Sequence, residues 1–230
     1  MKSSVTVLIL VEAGPGARLR AVLRLMFGKW ALRRVAGVRF AKMLGSGRGG
    51  GFLPAPSFVH QGALCVFETQ AQADAFLAHS PFMAGCRRGA RHCLTAMLVA
   101  SSSRGHWAGQ QPFDVSAQEG ADTVVASLTR ASIRPVKAKA FWRHAPDAEV
   151  SLHAADGCML AVGLGEAPVF RQATFTVWDN PASLAAYAHQ GAHRAAILEA
   201  KQQGFFSESL FARFVVTQMN GTWQGQRFGM

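Results

Sequence analysis

One short phrase occurs twice in this chain, as Gly105-His106-Trp107-Ala108-Gly109-Gln110 and as Gly221-Thr222-Trp223-Gln224-Gly225-Gln226. The two copies lie 116 residues apart in a chain of 230 residues, close to half its length. A repeat with this period indicates two copies of one structural unit. Two similar units that pack together form a pseudo-symmetric interface, and a ligand cleft is common at such an interface.

The repeat extends upstream of this phrase. Residues 66–76 (VFETQAQADAF) align without gaps on residues 177–187 (VWDNPASLAAY), at an offset of 111. A longer segment around residues 203–210 accounts for the difference between the two offsets. Both copies have the pattern of a strand, a capped helix start and an apolar helical face, and Asn180 is the expected N-cap of the second helix.

Hydrophobic periodicity predicts the same order of elements in both halves. The first half is predicted to hold strands at 5–11, 38–44, 60–68 and 94–100 and helices at 17–34 and 70–84. The second half is predicted to hold strands at 131–142 (interrupted near Pro135), 159–164, 174–178 and 214–219 and helices at 147–153 and 181–202. The resulting order, βαββαβ, is that of the ferredoxin-like unit.

We therefore predict an α+β fold made of two tandem ferredoxin-like repeats. The first repeat spans residues 1–113, a polar linker spans 114–127, and the second repeat spans 128–230. By analogy, two such units whose antiparallel sheets face each other form a pseudo-dimer like the dimeric α/β barrel. Half of the residues are apolar, which is ample for the core of such a fold.

The formal net charge of +11 is concentrated near the N-terminus. Residues 1–50 hold ten lysines and arginines and a single acid, Glu12. The predicted helix at 17–34 places apolar residues on one face and basic residues elsewhere, which fits a solvated face or a docking surface for an anionic membrane or an acidic electron carrier. No nucleic-acid partner is expected, because the sequence lacks the basic and aromatic strand pattern of RNA-binding domains and the spacing of a zinc finger.

The four cysteines, Cys65, Cys86, Cys93 and Cys158, form no C-x-x-C pair. This spacing argues against a zinc knuckle and indicates free thiols in a reducing compartment. The N-terminal region has no signal-peptide pattern, and no stretch approaches the ~20 apolar residues that a membrane span needs. We expect a cytoplasmic protein, and residues 17–34 are the candidate segment for peripheral contact with the inner membrane.

Two histidines, His189 and His193, lie four residues apart on the predicted helix 181–202. Such a pair can bind a metal ion, but it lacks the intervening glutamate of an H-E-x-x-H motif and an evident third ligand, which argues against a zinc hydrolase. A single neutral imidazole suffices as an axial ligand to haem iron, although a helix histidine is often structural. The first half has Phe82 where the second half has His193, as expected if only one copy binds a ligand.

His144 follows Phe141, Trp142 and Arg143 between a predicted strand and a predicted helix. Its imidazole is a candidate acid–base group, and a capping or surface histidine fits the same position. Arg143 could pair with a carboxylate of a ligand or remain a solvated charge.

Segments spread along nearly the whole chain carry the motifs of one enzyme family. They are SSSRGHWAGQQPF (101–113), LTRASIRP (128–135), FWRH (141–144), GLGE (163–166), QATF (172–175), AHRAAI (192–197) and LFARF (210–214), together with the Gly45-Ser46-Gly47 loop. In combination they resemble the spheroidene monooxygenase family, the acyclic carotenoid 2-ketolases of phototrophic bacteria.

The resemblance implies a haem-containing, ferredoxin-dependent oxygenase that uses dioxygen to oxidise C2 of spheroidene-type carotenoids to a ketone. Two hydroxylations at that carbon, followed by loss of water, account for the product. His193 falls within a matching segment and is the implied axial ligand of the haem iron. We predict in addition that Arg143, Arg134 or Lys137 helps to hold the haem propionates, and that His144 and Arg143 act in catalysis.

Two other functions fit the same sequence. One is another haem enzyme on the same barrel, such as a dehydratase or a peroxidase-like protein, and the other is a non-catalytic module that binds haem or lipid. His189 is the second candidate for the haem ligand.

Overall fold

The first strand is buried on both sides, so the fold places a separate apolar layer against each of its faces. β1 (Val5–Ala13) directs Leu8 and Leu10 into one buried cluster and Val7 and Ile9 into another. Side chains alternate along a strand, so the two clusters lie on opposite sides of the sheet. The first cluster fills the interior of a closed barrel, and the second lies between the barrel and its outer helices.

The computed structural model describes residues 4–51, 56–143, 145–167, 169–189 and 203–230. In the first half, β1 is followed by α1 (Arg18–Arg33), β2 (Val38–Gly47), β3 (Pro56–Phe67), α2 (Gln70–His79), α3 (Pro81–Arg87) and β4 (Ala90–Gly105). The second half contains β5 (Val125–Ile133), α4 (Ala138–Trp142), α5 (Ala145–His153), β6 (Cys158–Ala167), β7 (Arg171–Trp178), α6 (Pro181–His189), β8 (Phe206–Trp223) and β9 (Gln226–Gly229).

Eight antiparallel strands form a closed barrel. Their order is β4-β1-β3-β2-β6-β7-β5-β8, with β9 added outside β8, and β4 pairs with β8 to complete the ring. The halves meet at two junctions: a short one where Gly45 pairs with Gly165, and a long ladder from Leu94↔Gly221 to Gly105↔Leu210. The chain therefore folds as a mixed α/β barrel with helices on its outer surface.

The phrase that occurs twice in the sequence forms the same tight turn both times. Trp107 bridges to Gln110, and Trp223 pairs with Gln226. The two central residues of each turn have positive φ, which is the geometry of a type I′ turn and explains the glycine at the second central position. Both tryptophan side chains are buried in the barrel interior.

The strand predicted at 131–142 is wrong in both of its bounds. β5 begins at Val125 and ends at Ile133, and residues 138–142 form α4 instead. Pro135 has no N–H to donate to a ladder, so the strand cannot continue through it. The predicted linker at 114–127 is correspondingly too long, because residues 125–127 belong to β5.

The outer helices begin at side-chain caps. Asn180 accepts a hydrogen bond from the Ser183 N–H at 2.9 Å, which confirms the predicted N-cap of α6. The predicted helix at 70–84 is divided in two, because Ser80 caps a new helix that starts at Pro81. Within the described residues, no helix is long and apolar enough to cross a membrane.

A polar cluster lies buried at one end of the barrel and links both halves. The Glu166 carboxylate accepts hydrogen bonds from Lys42 Nζ at 2.7 Å, Trp107 Nε1 at 2.8 Å and Arg130 at 3.0 Å. Arg130, which is 3% exposed, also pairs with Glu208. Burial acts to raise the pKa of Glu166, but the hydrogen bonds from Lys42 and Trp107 and the two nearby cations outweigh it and hold the pKa below its usual value.

We expect Glu166→Gln to lower the free energy of unfolding by about 3 kcal/mol at neutral pH, because it leaves the buried Lys42 without its counter-charge and Arg130 with Glu208 alone. The pKa of Glu166 is lowered by folding, so the difference from wild type is fully present above the usual carboxyl pKa. It should shrink as pH falls through the lowered pKa. Urea unfolding followed by circular dichroism at several pH values measures both effects.

The matched control is Asp114→Asn, which removes an exposed ion pair with Arg39. Such a pair contributes less than about 1 kcal/mol. Equal losses in the two variants would show that the Glu166 cluster does not stabilise the barrel.

Candidate functional site

The outer layers of the two halves can be compared position by position, because their strands pair in the same register. β1 and β3 pair through Val5 and Phe67, and β5 and β7 pair through Val125 and Trp178. In each half the last strand pairs with the first, and the second strand pairs with the third. Each outward-facing position of the first half therefore has a counterpart in the second.

The outer layer of the first half is filled by large apolar side chains. Val7, Ile9, Phe76, Met83 and Met97 form one buried cluster between the sheet and its helices. The packing is close enough that a Cβ atom added to Gly28 of α1 would lie 2.9 Å from the Met43 sulfur. This half leaves its helices no room for a ligand at that point.

At six outward-facing positions where the first half has apolar side chains or a cysteine, the second half has polar side chains or a glycine. The replacements are Ser127 for Val7, Thr129 for Ile9, Thr174 for Ala63, Thr176 for Cys65, Gly163 for Met43 and Arg213 for Met97. Three of them, Ser127, Thr129 and Gly163, are smaller than their counterparts, which removes packing contacts and leaves space between the sheet and the helices. The polar groups that line this space also favour bound water or a ligand there, because cavities that stay empty are lined by apolar groups.

A cavity of about 690 Å³ lies at this place in the second half. Its floor is the outer face of β5 to β8, and its roof is formed by residues of α4, α5 and α6. All six replacement residues line it. Its size lies in the range of sites for cofactors and drug-sized ligands.

Aromatic rings form much of the cavity wall. Phe141 and Trp142 come from α4, Trp178 comes from β7 and Tyr187 comes from α6. Trp142 donates its indole N–H to the Val169 carbonyl at 3.0 Å, which fixes the ring from outside the cavity. Rigid rings with satisfied polar atoms suit a large, flat or conjugated ligand.

Tyr187 is the only tyrosine of the chain. Burial raises the pKa of its phenol, and the hydrogen bond with Ser151 opposes this in part. Its ring lies 5.2 Å from that of Trp178, and the matched first-half pair, Phe67 and Phe76, lies at 5.1 Å. The second copy thus keeps the ring contact and adds a protonated hydroxyl group at the cavity.

Two arginines line the cavity near the β4–β8 ladder. Arg104 lies on β4 and is exposed, and Arg213 lies on β8, with its guanidinium 3.6 Å from the Glu119 carboxylate. Guanidinium groups bind carboxylates in a planar, two-pronged geometry. This side of the cavity can therefore hold the acidic groups of a ligand.

The predicted basic residues of the site lie elsewhere. Arg143 is exposed at the end of α4, and Arg134 and Lys137 lie in the turn between β5 and α4. Among the described residues that line the cavity, none of these three occurs. Their roles stay predictions.

The predicted histidines cannot be placed in the same way. His144 and His193 lie outside the described residues, and His189 is described only as the last backbone position of α6. Leu184, Tyr187 and Ala188 of that helix line the cavity.

Sequence reasoning missed Arg104, Arg213 and Tyr187. A full comparison of the two copies would have found Arg213, because a cation at a position that is apolar in the other copy needs a reason. The alignment of residues 66–76 on 177–187 already matched Tyr187 with Phe76.

A metal centre built from protein side chains alone finds no support in the described part of the chain. No group of three or more histidine, cysteine, aspartate or glutamate side chains there could hold a metal ion. All four cysteines are free, and burial raises the pKa of the Cys86 and Cys158 thiols to about 11. At these pKa values the two thiols are mostly protonated at physiological pH.

The barrel has known structural relatives. A crystal structure of aldoxime dehydratase in complex with butyraldoxime superposes with a TM-score of 0.60 over 94% of this chain and 80% of that one. The sequences are only 8% identical, so this likeness shows the fold alone.

Proteins related in sequence identify the family of the chain, which the fold alone does not. No model of a known protein family matches the chain. The spheroidene monooxygenase of Rubrivivax gelatinosus is 46% identical over 98% of this chain and 87% of its own length. The spheroidene monooxygenase of Rhodobacter capsulatus is 36% identical over 82% of this chain and 80% of its own length. The resemblance of the motifs is thereby confirmed, and the chain belongs to the spheroidene monooxygenase family of oxidoreductases.

Proposed function

We propose that this chain is a haem-dependent monooxygenase that introduces a keto group at C2 of acyclic carotenoids of the spheroidene type. Membership of the family supports carotenoid oxygenation with dioxygen. The observation that carries the haem proposal is the 690 Å³ cavity that the second half opens and the first half fills.

The residues of the cavity fit a haem group. Its walls are aromatic and apolar, which suits a flat macrocycle, and Arg104 and Arg213 lie where carboxylates could be held. When bound, haem supplies the activation of dioxygen that no protein side chain provides. The protein's part is to orient the carotenoid end beside it and to exclude water.

His193 remains the proposed axial ligand. Its match in the first half, Phe82, packs into the outer layer, with its ring 6.1 Å from that of Phe76 and its edge beside Gly28. Phe76 is in turn the match of Tyr187, which lines the cavity. The repeat therefore supports His193 as a residue of the layer that contains the cavity, with His189 as the second candidate.

The remaining site residues divide into two groups by position. Arg143 and His144 directly follow Trp142, which lines the cavity, so we keep them as the proposed groups that orient substrate or move a proton. Arg134 and Lys137 are proposed to hold the propionates. Arg104 and Arg213, which line the cavity, are the competing pair for that role.

The proposal includes reduced ferredoxin as the electron donor and a cytoplasmic location with peripheral membrane contact through residues 17–34. The net charge of +11 supports both, since small electron carriers of acidic composition and anionic lipids are attracted to a basic surface. No nucleic-acid partner is proposed.

We also infer that the halves are two copies of one ferredoxin-like unit, predicted at residues 1–113 and 128–230, with the second unit beginning at the start of β5. Three features support this inference. Both halves have the same strand order, the same Gly-x-Trp-x-Gly-Gln turn and the same ring pair between the third strand and the following helix.

Expression in cells that make spheroidene, followed by pigment analysis, tests the function as a whole. A C2 ketone in the pigment, together with a Soret band in the purified protein, is the expected result. Haem without carotenoid oxidation would indicate another haem enzyme or a haem-binding module, and absence of haem would contradict the proposal.

His193→Ala should weaken haem binding at least about tenfold, because it removes the bond between the iron and the imidazole. Titration with haem, followed at the Soret band, measures the affinity, and circular dichroism checks the fold. The matched control is His189→Ala, for which we expect little change. Full haem uptake with an unchanged spectrum in His193→Ala would show that the ligand is another residue.

Gly163→Met should block the cavity, because it restores the side chain that its counterpart Met43 places there in the first half. We expect a loss of haem uptake of about tenfold or more, without loss of thermal stability, since the new side chain fills empty space. Gly163→Ala is the graded control and should retain most of the affinity. Unchanged uptake in Gly163→Met would place the haem site outside this cavity.

A further inference from the structure

Helix α1 has two apolar faces on opposite sides. Its inner face is made mostly of small residues, with Ala21, Gly28 and Leu32 buried against the barrel. Its outer face carries five large apolar side chains: Leu19, Leu23, Met26, Phe27 and Trp30, between 44% and 73% exposed. At 3.6 residues per turn these five fall within a sector of about 100°, directly opposite the buried face.

The rotation of α1 about its axis is fixed by specific contacts. Arg24 donates hydrogen bonds to the Gln61 side chain at 3.2 Å and to the Gly85 carbonyl at 3.0 Å. Gln61 in turn donates to the Ala21 carbonyl. Gly28 lets the helix approach β2 closely, since a Cβ atom at this position would lie 2.9 Å from the Met43 sulfur. The five outer side chains are therefore held away from the core.

Basic residues border the outer apolar stripe on both sides. Arg18, Lys29 and Arg33 lie along one edge and Arg20 lies along the other, by the same helical spacing, and Arg34 follows the stripe at the C-terminal end of the helix. α1 itself contains five basic residues and no acidic one. An apolar stripe between cationic edges is the pattern of a helix that lies in the interface of an anionic membrane.

We propose that α1 docks the enzyme on an anionic lipid membrane. Leu23, Met26 and Trp30 enter the boundary of the acyl chains, to a depth of about 5–10 Å, while the flanking cations contact the headgroups. The stripe from Leu19 to Trp30 is about 17 Å long, which is enough for a stable footprint in the plane of the membrane. This inference rests on the peripheral contact of the proposed function, but lipid binding needs neither haem nor carotenoid.

A lipid surface fits this helix better than a protein surface does. A second copy of the chain would bring two sets of cations together, which opposes association. An acidic protein would match the charges, but it would need a groove shaped to receive five protruding side chains. A fluid lipid surface adapts to any such shape.

The docking helix also lies beside the part of the barrel that contains the cavity. α1 packs on β2 and β3, and β2 pairs with β6 at Gly45↔Gly165. Gly163 on β6 lines the cavity. Docking through α1 therefore brings the lipid, where a carotenoid dissolves, to a neighbouring face of the same barrel.

Sedimentation with vesicles of phosphatidylcholine and phosphatidylglycerol tests the proposal on the whole protein. The triple variant Leu23→Ser, Met26→Ser, Trp30→Ser should bind at least about tenfold more weakly than wild type, because it removes the inserted apolar area. Phe58→Ser is the matched control, since Phe58 is 67% exposed but lies on β3 rather than on the stripe. Circular dichroism and haem uptake should be unchanged in all variants.

The contribution of the cations of α1 and the insertion of its apolar side chains can be measured separately. Lys29→Gln with Arg33→Gln and Arg34→Gln should reduce binding to anionic vesicles and weaken its dependence on salt, because fewer cations are screened. Brominated lipids should quench tryptophan fluorescence in wild type, and Trp30→Phe should bind while losing most of that quenching.

Three results would overturn the proposal. Vesicle binding by the triple variant as strong as wild type would show that the stripe does not insert. Equal losses in Phe58→Ser would show non-specific adhesion. Unchanged vesicle binding, with loss of ferredoxin binding or of self-association in the triple variant, would assign α1 to a protein interface. Carotenoid oxidation in detergent by a variant that no longer binds vesicles would leave the proposed function intact.

Discussion

The ladder between β4 and β8 is the constraint on which the rest of this structure depends. It joins the last strand of each half from Leu94↔Gly221 to Gly105↔Leu210 and completes the ring of eight strands. Without it the sheet would have two open edges and no enclosed interior. With it, the inward side chains of both halves form one continuous apolar core, and the buried cluster around Glu166 links the halves at one end. Because both halves share this core, the packing of an outer layer can vary without opening the barrel.

The two outer layers use this freedom differently. In the first half, large side chains fill the space between sheet and helices, and the helix above them turns a second apolar face outward. In the second half, hydroxyl groups, a glycine and an arginine stand at the matching positions, and a cavity remains. One half thus supplies a packed scaffold and an outward-facing helix, and the other supplies room for a ligand. Six side chains of the sheet contribute to this difference, and the helical layer contributes as well, because α4 and α5 stand where the first half has the single helix α1.

Some of these features could be predicted from the sequence, and each feature that was predicted wrongly or missed has a physical reason. The repeated turn and the Asn180 cap follow from local sequence patterns, because such patterns determine the local backbone geometry. The bounds of β5 were wrong because apolar residues continue past Pro135, where the backbone leaves the sheet. Periodicity showed the apolar stripe of α1 but not its direction, since small residues such as Ala21 and Gly28 make the face that is buried. Arg104 and Arg213 were missed because strand pairing, not chain order, brings them together.

Joining both halves in one chain has an evolutionary consequence. A half-length chain would expose the edges of β2 and β4 and could satisfy them only by pairing with a second copy of itself. In such a homodimer every substitution appears twice, so replacing Val7 by serine or Met97 by arginine would hollow both outer layers at once. A fused chain escapes this symmetry, because each copy can mutate alone. If the halves are two copies of one unit, as proposed above, their fusion lets one copy lose packing and gain space for a ligand while the other copy keeps its packing.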